Sequence, residues 1–209
     1  MAPTLYHVPK TISSPIVQTI TELELKPGTI HIETIGFPDL KTEAHLKRNP
    51  MGTAPTFVDT ELSVNIWESG AILIFILERY DVDFKFHPRP SLYQQRARFL
   101  HLIFYIQTTI YPFLSSLYLH TLRPVEQQDA QYVTESKFKW HNLLAPTLEQ
   151  DVNRGGGQYL MGENMSGADF LLCKPLGNAN TLGLLESWPA LKKIFCQVSM
   201  RPSFAVAYA

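Results

Sequence analysis

The 209-residue sequence contains little that would indicate a disulfide-rich or a nucleic-acid-binding protein. Its two cysteines, Cys173 and Cys196, are too few for a disulfide scaffold and lack the paired spacing of a zinc site. Charged residues make up only 18%, and 18 Lys and Arg balance 19 Asp and Glu. There is thus no clustered basic excess for nucleic acid or a membrane surface. With an apolar share of 45% the chain is too hydrophobic to be disordered, so we expect one or two folded domains without a metal.

The sequence also gives little support for secretion or membrane insertion. Its first residues lack the basic and then apolar order of a signal peptide, which together with the cysteine count predicts a cytoplasmic protein. Residues 99–122 contain no Lys, Arg, Asp or Glu and are long enough to span a bilayer. Polar residues interrupt this segment, however, and Pro112 lies in its middle. We therefore predict a long helix buried in a globular domain and no membrane partner.

The pattern of apolar residues predicts two domains. Strands are predicted at 3–8, 29–35, 56–58 and 62–66, and helices at 15–25, 41–48 and 68–80. This mixed order is typical of an α/β domain with parallel and antiparallel strand pairs. After a Pro-containing linker at 81–90, the segments 91–122, 125–153, 168–184 and 188–199 are all predicted to be helical. The fold class is therefore an α/β domain followed by an all-α domain.

Two motifs narrow the function. The segment 49–57 reads Asn-Pro-Met-Gly-Thr-Ala-Pro-Thr-Phe, and the segment 67–72 reads Trp-Glu-Ser-Gly-Ala-Ile. Together with residues 159–169, which end in a Ser-Gly-Ala-Asp capping box, they resemble the glutathione S-transferase family, in particular its phi-like and fungal members. The resemblance implies a thioredoxin-like domain with a mixed four-stranded sheet over residues 1–81, which binds glutathione. It further implies a helical domain over 91–209 that forms the second-substrate pocket, and a homodimer.

Elementary chemistry agrees with the glutathione site that this resemblance implies. Pro55 can hold a cis bond at low cost, and the bend would leave the Ala54 backbone free to pair with a peptide ligand. Glu68 and Ser69 begin a helix, whose unpaired N–H groups attract a carboxylate. The full set that the resemblance implies for glutathione is Lys10, Lys41, Thr53, Ala54, Pro55, Glu68 and Ser69.

The group that would activate the glutathione thiol is expected in the turn after the first strand. In the family a hydroxyl there donates a hydrogen bond that stabilises the thiolate. Spacing from Tyr6 favours Thr11, spacing to Pro15 favours Ser13, and Ser14 lies nearest the helix that follows. We rank Ser13 first, then Ser14, then Thr11. The turn contains no cysteine, which disfavours a disulfide or dehydroascorbate reductase.

The uncharged helix is expected to supply the second-substrate pocket for an apolar electrophile. Its aromatic and hydroxyl residues suggest the lining Phe104, Tyr105, Thr108, Tyr111, Pro112 and Leu117. The leading hypothesis is a transferase that conjugates glutathione, or a glutathione-dependent isomerase of cis/trans double bonds, with a role in secondary metabolism. The alternative is a non-catalytic binding or assembly module of the same fold.

Overall fold

The structure is a computed structural model that describes residues 2–209. These residues form two compact units. The first contains the chain up to His87 together with Arg201–Ala209, and the second is Pro88–Met200. The sequence assigned all of residues 91–209 to the helical domain, whereas the C-terminal segment belongs to the first unit.

The first unit contains a mixed four-stranded sheet with strand order β2-β1-β3-β4. Its elements are β1 (Thr4–His7), α1 (Ser14–Glu22), β2 (His31–Thr34), a 3-10 helix (Pro38–Lys41), α2 (Glu43–Arg48), β3 (Thr56–Asp59), β4 (Val64–Trp67) and α3 (Ser69–Tyr80). The pair β1–β2 is parallel, and the pairs β1–β3 and β3–β4 are antiparallel. The expected sheet is thereby confirmed.

One face of this sheet forms the core of the first unit. Leu5 of β1 and Phe57 of β3 are fully buried, as are Ile16 of α1 and Ile72 and Ile76 of α3. Burial of such a side chain stabilises the folded state by about 1.5–3 kcal/mol. The core therefore fixes the positions of α1 and α3, whose N-termini follow β1 and β4.

The C-terminal helix α10 (Pro202–Tyr208) packs on α1. Arg201 donates from Nε and Nη2 to the two carboxylate oxygens of Glu22, at 2.6 and 2.5 Å. Ser203 also donates to Glu22 and accepts from Gln18. These side-chain contacts join residues about 180 positions apart, which explains why sequence periodicity gave no sign of them.

The second unit is helical, as expected. Its elements are α4 (Tyr93–Tyr105), a π turn (Ile106–Ile110), α5 (Tyr111–Thr121), a 3-10 turn (Val125–Gln127), α6 (Ala130–Lys139), a π turn (Trp140–Leu144), α7 (Ala145–Arg154), α8 (Gly167–Thr181) and α9 (Pro189–Ser199).

Both π turns come just before a proline. Pro112 follows the first turn and Pro146 follows the second, in each case as the second residue of the next helix. Proline lacks an N–H, and its ring clashes with the carbonyl four residues earlier. That carbonyl belongs to Thr108 or Asn142, and both residues lie inside the wider π turns. The chain thus continues as a helix through both prolines, in agreement with the predicted helical segments 91–122 and 125–153.

The helical rod Tyr93–Thr121 is long and apolar enough to cross a membrane by length and composition alone. In this structure it is a core helix of the second unit. Ile106, Ile110 and Leu114 are fully buried, and α5 packs against α8.

Helix α8 begins with the capping box that the sequence predicts. The Asp169 carboxylate accepts from the backbone amides of Ser166 at 2.8 Å and Leu160 at 2.9 Å. Burial raises the pKa of Asp169 to about 6, although these hydrogen bonds oppose the change. The box therefore anchors the chain before α8 and has a structural role.

Candidate functional site

The strand pairing brings three segments of the predicted site to one edge of the sheet. Tyr6 of β1 lies opposite Thr56 of β3, and Thr56 lies opposite Trp67 of β4. Continuing these antiparallel registers places the end of β1, the residues before β3 and the residues after β4 side by side. The segments that meet there are the turn at 10–14, the bond Ala54–Pro55, and Glu68 with Ser69.

The Ala54–Pro55 bond is cis, as expected. The loop before it is supported by a buried residue, Asn49. The two Nδ2 protons of Asn49 are shared among the Thr53 carbonyl at 2.9 Å, the Thr53 hydroxyl at 3.1 Å and the Thr56 hydroxyl at 3.0 Å. Within residues 2–209, no hydrogen bond uses the amide or carbonyl of Ala54. The backbone of Ala54 is thus available to an added extended strand. Thr53 is exposed, but its oxygen atoms already accept from Asn49.

Glu68 and Ser69 lie at the start of α3, where an anion is favoured. Glu68 is the exposed N-cap residue and has φ of 86°, a conformation that is costly for a residue with a side chain. Its side chain does not cap the helix, and the first turn of α3 carries no acidic residue. The positive end of the α3 dipole is therefore not neutralised within the first turn. Ser69 is buried at the first helical position.

Lys41 joins the 3-10 helix to the loop before Ala54. Its Nζ donates to the carbonyl of Gly52 at 3.0 Å and of Met51 at 3.3 Å. Gly52 has φ of +59°, and a Cβ there would lie 2.8 Å from Lys41 Nζ and 2.9 Å from the Leu40 carbonyl. The structure thus gives Lys41 a role in loop geometry, and its contact with a ligand carboxylate stays a prediction.

The turn at 10–14, called the hydroxyl turn below, exposes its hydroxyl groups in a different order from the ranking made on the sequence. Ser13, the first choice, is fully buried. Its Oγ donates to the Val8 carbonyl at 2.8 Å and accepts from the Val8 amide at 3.1 Å. The same oxygen lies 2.7 Å from Nδ1 of His7 and 2.8 Å from Oγ1 of Thr11. Ser13 is therefore part of the internal packing of the turn and presents no exposed oxygen to a ligand.

Of the three hydroxyls, that of Thr11 is the most accessible. Thr11 is half-buried, and its Oγ1 donates to the Val8 carbonyl at 2.7 Å. Ser14 is buried, and its Oγ has no partner among the described residues. Helix α1 begins at Ser14 with Ser13 as N-cap, one residue earlier than predicted. Lys10 is exposed with φ of 63° beside this turn.

His7 is a buried residue of the site that sequence reasoning missed. It ends β1, is 3% exposed, and contacts Ser13. Burial lowers its pKa to about 4, so the ring is neutral near pH 7. A histidine in a strand gave no sequence signal of this contact. Asn49 was quoted only as part of the Asn-Pro motif, and the three contacts of its Nδ2 became visible only in the fold.

The residues expected to line a second-substrate pocket lie along α4, the first π turn and α5. Phe104, Thr108 and Pro112 are exposed, and Tyr105 and Tyr111 are half-buried. Burial raises the pKa of both tyrosines, so they are neutral hydroxyls near pH 7. Leu117 is fully buried in the second unit. It therefore packs in the core and has no surface to offer a substrate, contrary to the expectation.

One cavity in the first unit lies away from these groups. It has a volume of about 370 Å³ and is lined by Tyr6, Glu33, Ile35, Asp39, Thr42, Ala44, His45 and Arg48. None of the residues predicted to bind glutathione lines it. Among residues 2–209 no group of three or more His, Cys, Asp or Glu could hold a metal ion.

Both cysteines lie in the second unit and are unpaired. Cys173 is buried, and burial raises the pKa of its thiol. It is therefore protonated near pH 7 and unreactive. Cys196 is exposed on α9.

Comparison with known proteins finds relatives among the glutathione S-transferases. Residues 108–207 match the family model of the glutathione S-transferase C-terminal domain. The chain is 29% identical over 157 residues to the glutathione S-transferase-like protein OpS6 of Beauveria bassiana, an alignment that covers 72% of this chain and 66% of that protein. It is 25% identical over 203 residues to a probable maleylacetoacetate isomerase of Vibrio cholerae, covering 92% of this chain and 87% of that protein.

Solved structures show the same fold. A glutathione transferase homologue from Lodderomyces elongisporus, crystallised with two glutathione molecules per subunit, superposes with a TM-score of 0.85. The alignment has 18% sequence identity and covers 100% of this chain and 98% of that one. At this identity the similarity establishes the fold.

Proposed function

Because the chain belongs to the glutathione S-transferase family, we propose that it binds glutathione at the sheet edge and activates its thiol for reaction with an apolar electrophile. The observation that carries this proposal is the juxtaposition of the unpaired Ala54 backbone, the start of α3 and the hydroxyl turn. A peptide ligand that pairs with Ala54 extends along this edge with one end at α3 and its middle at the turn.

Each part of glutathione has a matching group. The cysteinyl backbone pairs with Ala54 as an added strand. The γ-glutamyl carboxylate accepts from the amides at the start of α3 and from Ser69, while Glu68 accepts from the ammonium group. Lys10 and Lys41 supply positive charge for the glycine carboxylate and the thiolate. Thr53 contributes its place in the loop, since its hydroxyl oxygen already accepts from Asn49.

Thr11 is the proposed activating residue, in place of Ser13. Its hydroxyl donates to the glutathione sulfur once it turns away from the Val8 carbonyl, and the thiol proton passes to water. A hydrogen bond to a charged group contributes about 1.5–3 kcal/mol, which corresponds to a lowering of the thiol pKa by roughly one to two units. The N-terminus of α1 acts in the same direction.

The thiolate can then react in two ways. In conjugation it forms a carbon–sulfur bond while the leaving group departs with its electron pair. In isomerisation it adds to a conjugated double bond, rotation follows, and elimination regenerates glutathione. Similarity to a probable maleylacetoacetate isomerase supports the second route. A role in secondary metabolism, a cytoplasmic location and a homodimer belong to the same proposal.

One observation favours a non-catalytic binding module as a second candidate. The Thr11 hydroxyl is directed inward, to the Val8 carbonyl at 2.7 Å. If it keeps this bond when glutathione binds, the thiol is not activated.

Calorimetry and thiol titration test both functions. Glu68→Gln and Ser69→Ala are expected to weaken glutathione binding about tenfold, because the ligand ammonium loses a charged acceptor in the first variant and the ligand carboxylate loses a hydroxyl donor in the second. Thr60→Ala, at the far end of the β3–β4 hairpin, is the control and should bind normally. Absence of binding by the unmodified protein would refute the glutathione site. Binding with the thiol pKa of free glutathione would establish the binding module instead.

A further inference from the structure

Two hydroxyls share one carbonyl beneath the turn. Thr11 Oγ1 and Ser13 Oγ lie 2.7 and 2.8 Å from the carbonyl oxygen of Val8, and 2.8 Å from each other. Each hydroxyl has one proton and two lone pairs, so only a few arrangements of protons satisfy all three atoms. Ser13 and Val8 are buried. The acceptor to which Thr11 donates therefore depends on the acceptor to which Ser13 donates.

The protonation of His7 Nδ1 determines to which acceptor Ser13 donates its hydrogen bond. Its Nδ1 lies 2.7 Å from Ser13 Oγ, which also accepts from the Val8 amide. If Nδ1 carries the ring proton, Ser13 accepts twice and donates to the Val8 carbonyl. It then has no lone pair left for Thr11. If Nδ1 is bare, Ser13 donates to His7 and is free to accept from Thr11.

The two tautomers differ in what happens when Thr11 turns toward a ligand. With Nδ1 protonated, the Val8 carbonyl keeps the bond from Ser13 after Thr11 leaves. With Nδ1 bare, the Val8 carbonyl would lose its donor from this cluster, and a buried acceptor without a partner is unfavourable. Turning outward is thus favourable only in the first tautomer.

We propose that His7 is a positioning residue which, with its proton on Nδ1, saturates Ser13 and frees the Thr11 hydroxyl to donate to the glutathione sulfur. This inference rests on the proposed function. The burial that lowers the His7 pKa also keeps the ring neutral, so that the choice is between two tautomers only.

The first test is titration of the thiolate absorbance of bound glutathione. His7→Leu removes the donor and is expected to raise the thiol pKa by roughly one unit, which lowers the thiolate fraction by up to about tenfold at pH values below the pKa. His7→Asn places a side-chain N–H near the position of Nδ1 and is expected to restore most of the lowering. Affinity for S-methylglutathione, which has no thiol, should stay the same in both. The control is His31→Asn, an exposed histidine of β2.

The second test is independent of glutathione. Nitrogen-15 NMR of the imidazole in the free protein is expected to show Nδ1 protonated and Nε2 bare. The reverse tautomer would overturn the inference, and so would an unchanged thiol pKa in His7→Leu. If His7→Leu does not fold, Ser13→Ala takes its place, because removal of the Ser13 donor should also draw Thr11 inward and raise the thiol pKa. An unmodified protein that does not lower the thiol pKa would refute the proposed activation instead. The NMR result would still decide whether His7 carries its proton on Nδ1.

Discussion

The ion pair between Glu22 and Arg201 is expected to hold the C-terminal helix on α1. Glu22 is 7% exposed, whereas the Arg201 side chain is 41% exposed. Measured pairs range from about 0–1 kcal/mol at the surface to 3–5 kcal/mol when a buried pair is broken. The partial exposure of Arg201 places this pair between those limits, at about 1–3 kcal/mol.

The pair also carries a defined pH dependence. Burial alone would raise the pKa of the Glu22 carboxyl, but hydrogen bonds from Arg201 and Ser203 outweigh burial and the pKa is lowered. A lowered pKa in the folded state means that the unfolded state binds the proton more readily. The stabilisation is therefore complete above pH 4.5, the ordinary value for this group, and is lost as the pH falls through the lowered pKa.

Hydrogen exchange of the α10 amides measures how strongly the ion pair between Glu22 and Arg201 holds this helix. Glu22→Gln should speed exchange across Pro202–Tyr208 by about 10- to 100-fold, since each 1.4 kcal/mol is a factor of ten. Arg201→Lys keeps the charge but loses the two-pronged geometry, so it should show an intermediate effect. The control is Lys192→Met, which breaks an exposed ion pair with Glu186 and should leave α10 unchanged. Unchanged exchange of α10 in Glu22→Gln would refute the reasoning.

Two further predictions concern the site itself. Gly52→Ala should lower the free energy of unfolding by about 1–3 kcal/mol in urea denaturation, because the residue has positive φ and its Cβ would lie 2.9 Å from a backbone carbonyl. The control is Gly28→Ala, which also has positive φ but whose Cβ has open space. A similar loss in both variants would show that the close contact contributes nothing. Because the pKa of His7 is lowered in the folded state, the free energy of unfolding should fall by up to about 3 kcal/mol as the pH falls from 6.5 to about 4. A difference in the free energy of unfolding between the unmodified protein and His7→Asn that does not change with pH would contradict this.

The sequence predicted the sheet and the cis Ala54–Pro55 bond well because both depend on local signals. Apolar alternation and turn residues marked the four strands, and the Ala54–Pro55 bond was recognised from its neighbours. The C-terminal helix was missed because it is short and is held by Glu22, which is distant in sequence. The helices were predicted to run through Pro112 and Pro146, but the wider π turns that accommodate these prolines were missed, because apolar periodicity does not distinguish them from an α-helix.

The burial of the three hydroxyls was not predictable for a different reason. Spacing places Thr11, Ser13 and Ser14 in one turn but does not say which side chain faces inward. That depends on Val8 and His7, whose polar atoms lie within hydrogen-bonding distance of Ser13 Oγ. Leu117 was assigned to a pocket on composition alone, whereas the packing of the second unit buries it completely.

A crystal structure of the protein with glutathione tests the central claim most directly. The expected result places the γ-glutamyl carboxylate at the start of α3, the cysteinyl backbone paired with Ala54, and the sulfur within hydrogen-bonding distance of Thr11 Oγ1. Glutathione bound elsewhere, or a sulfur directed away from Thr11 while the Thr11 hydroxyl still donates to Val8, would contradict it.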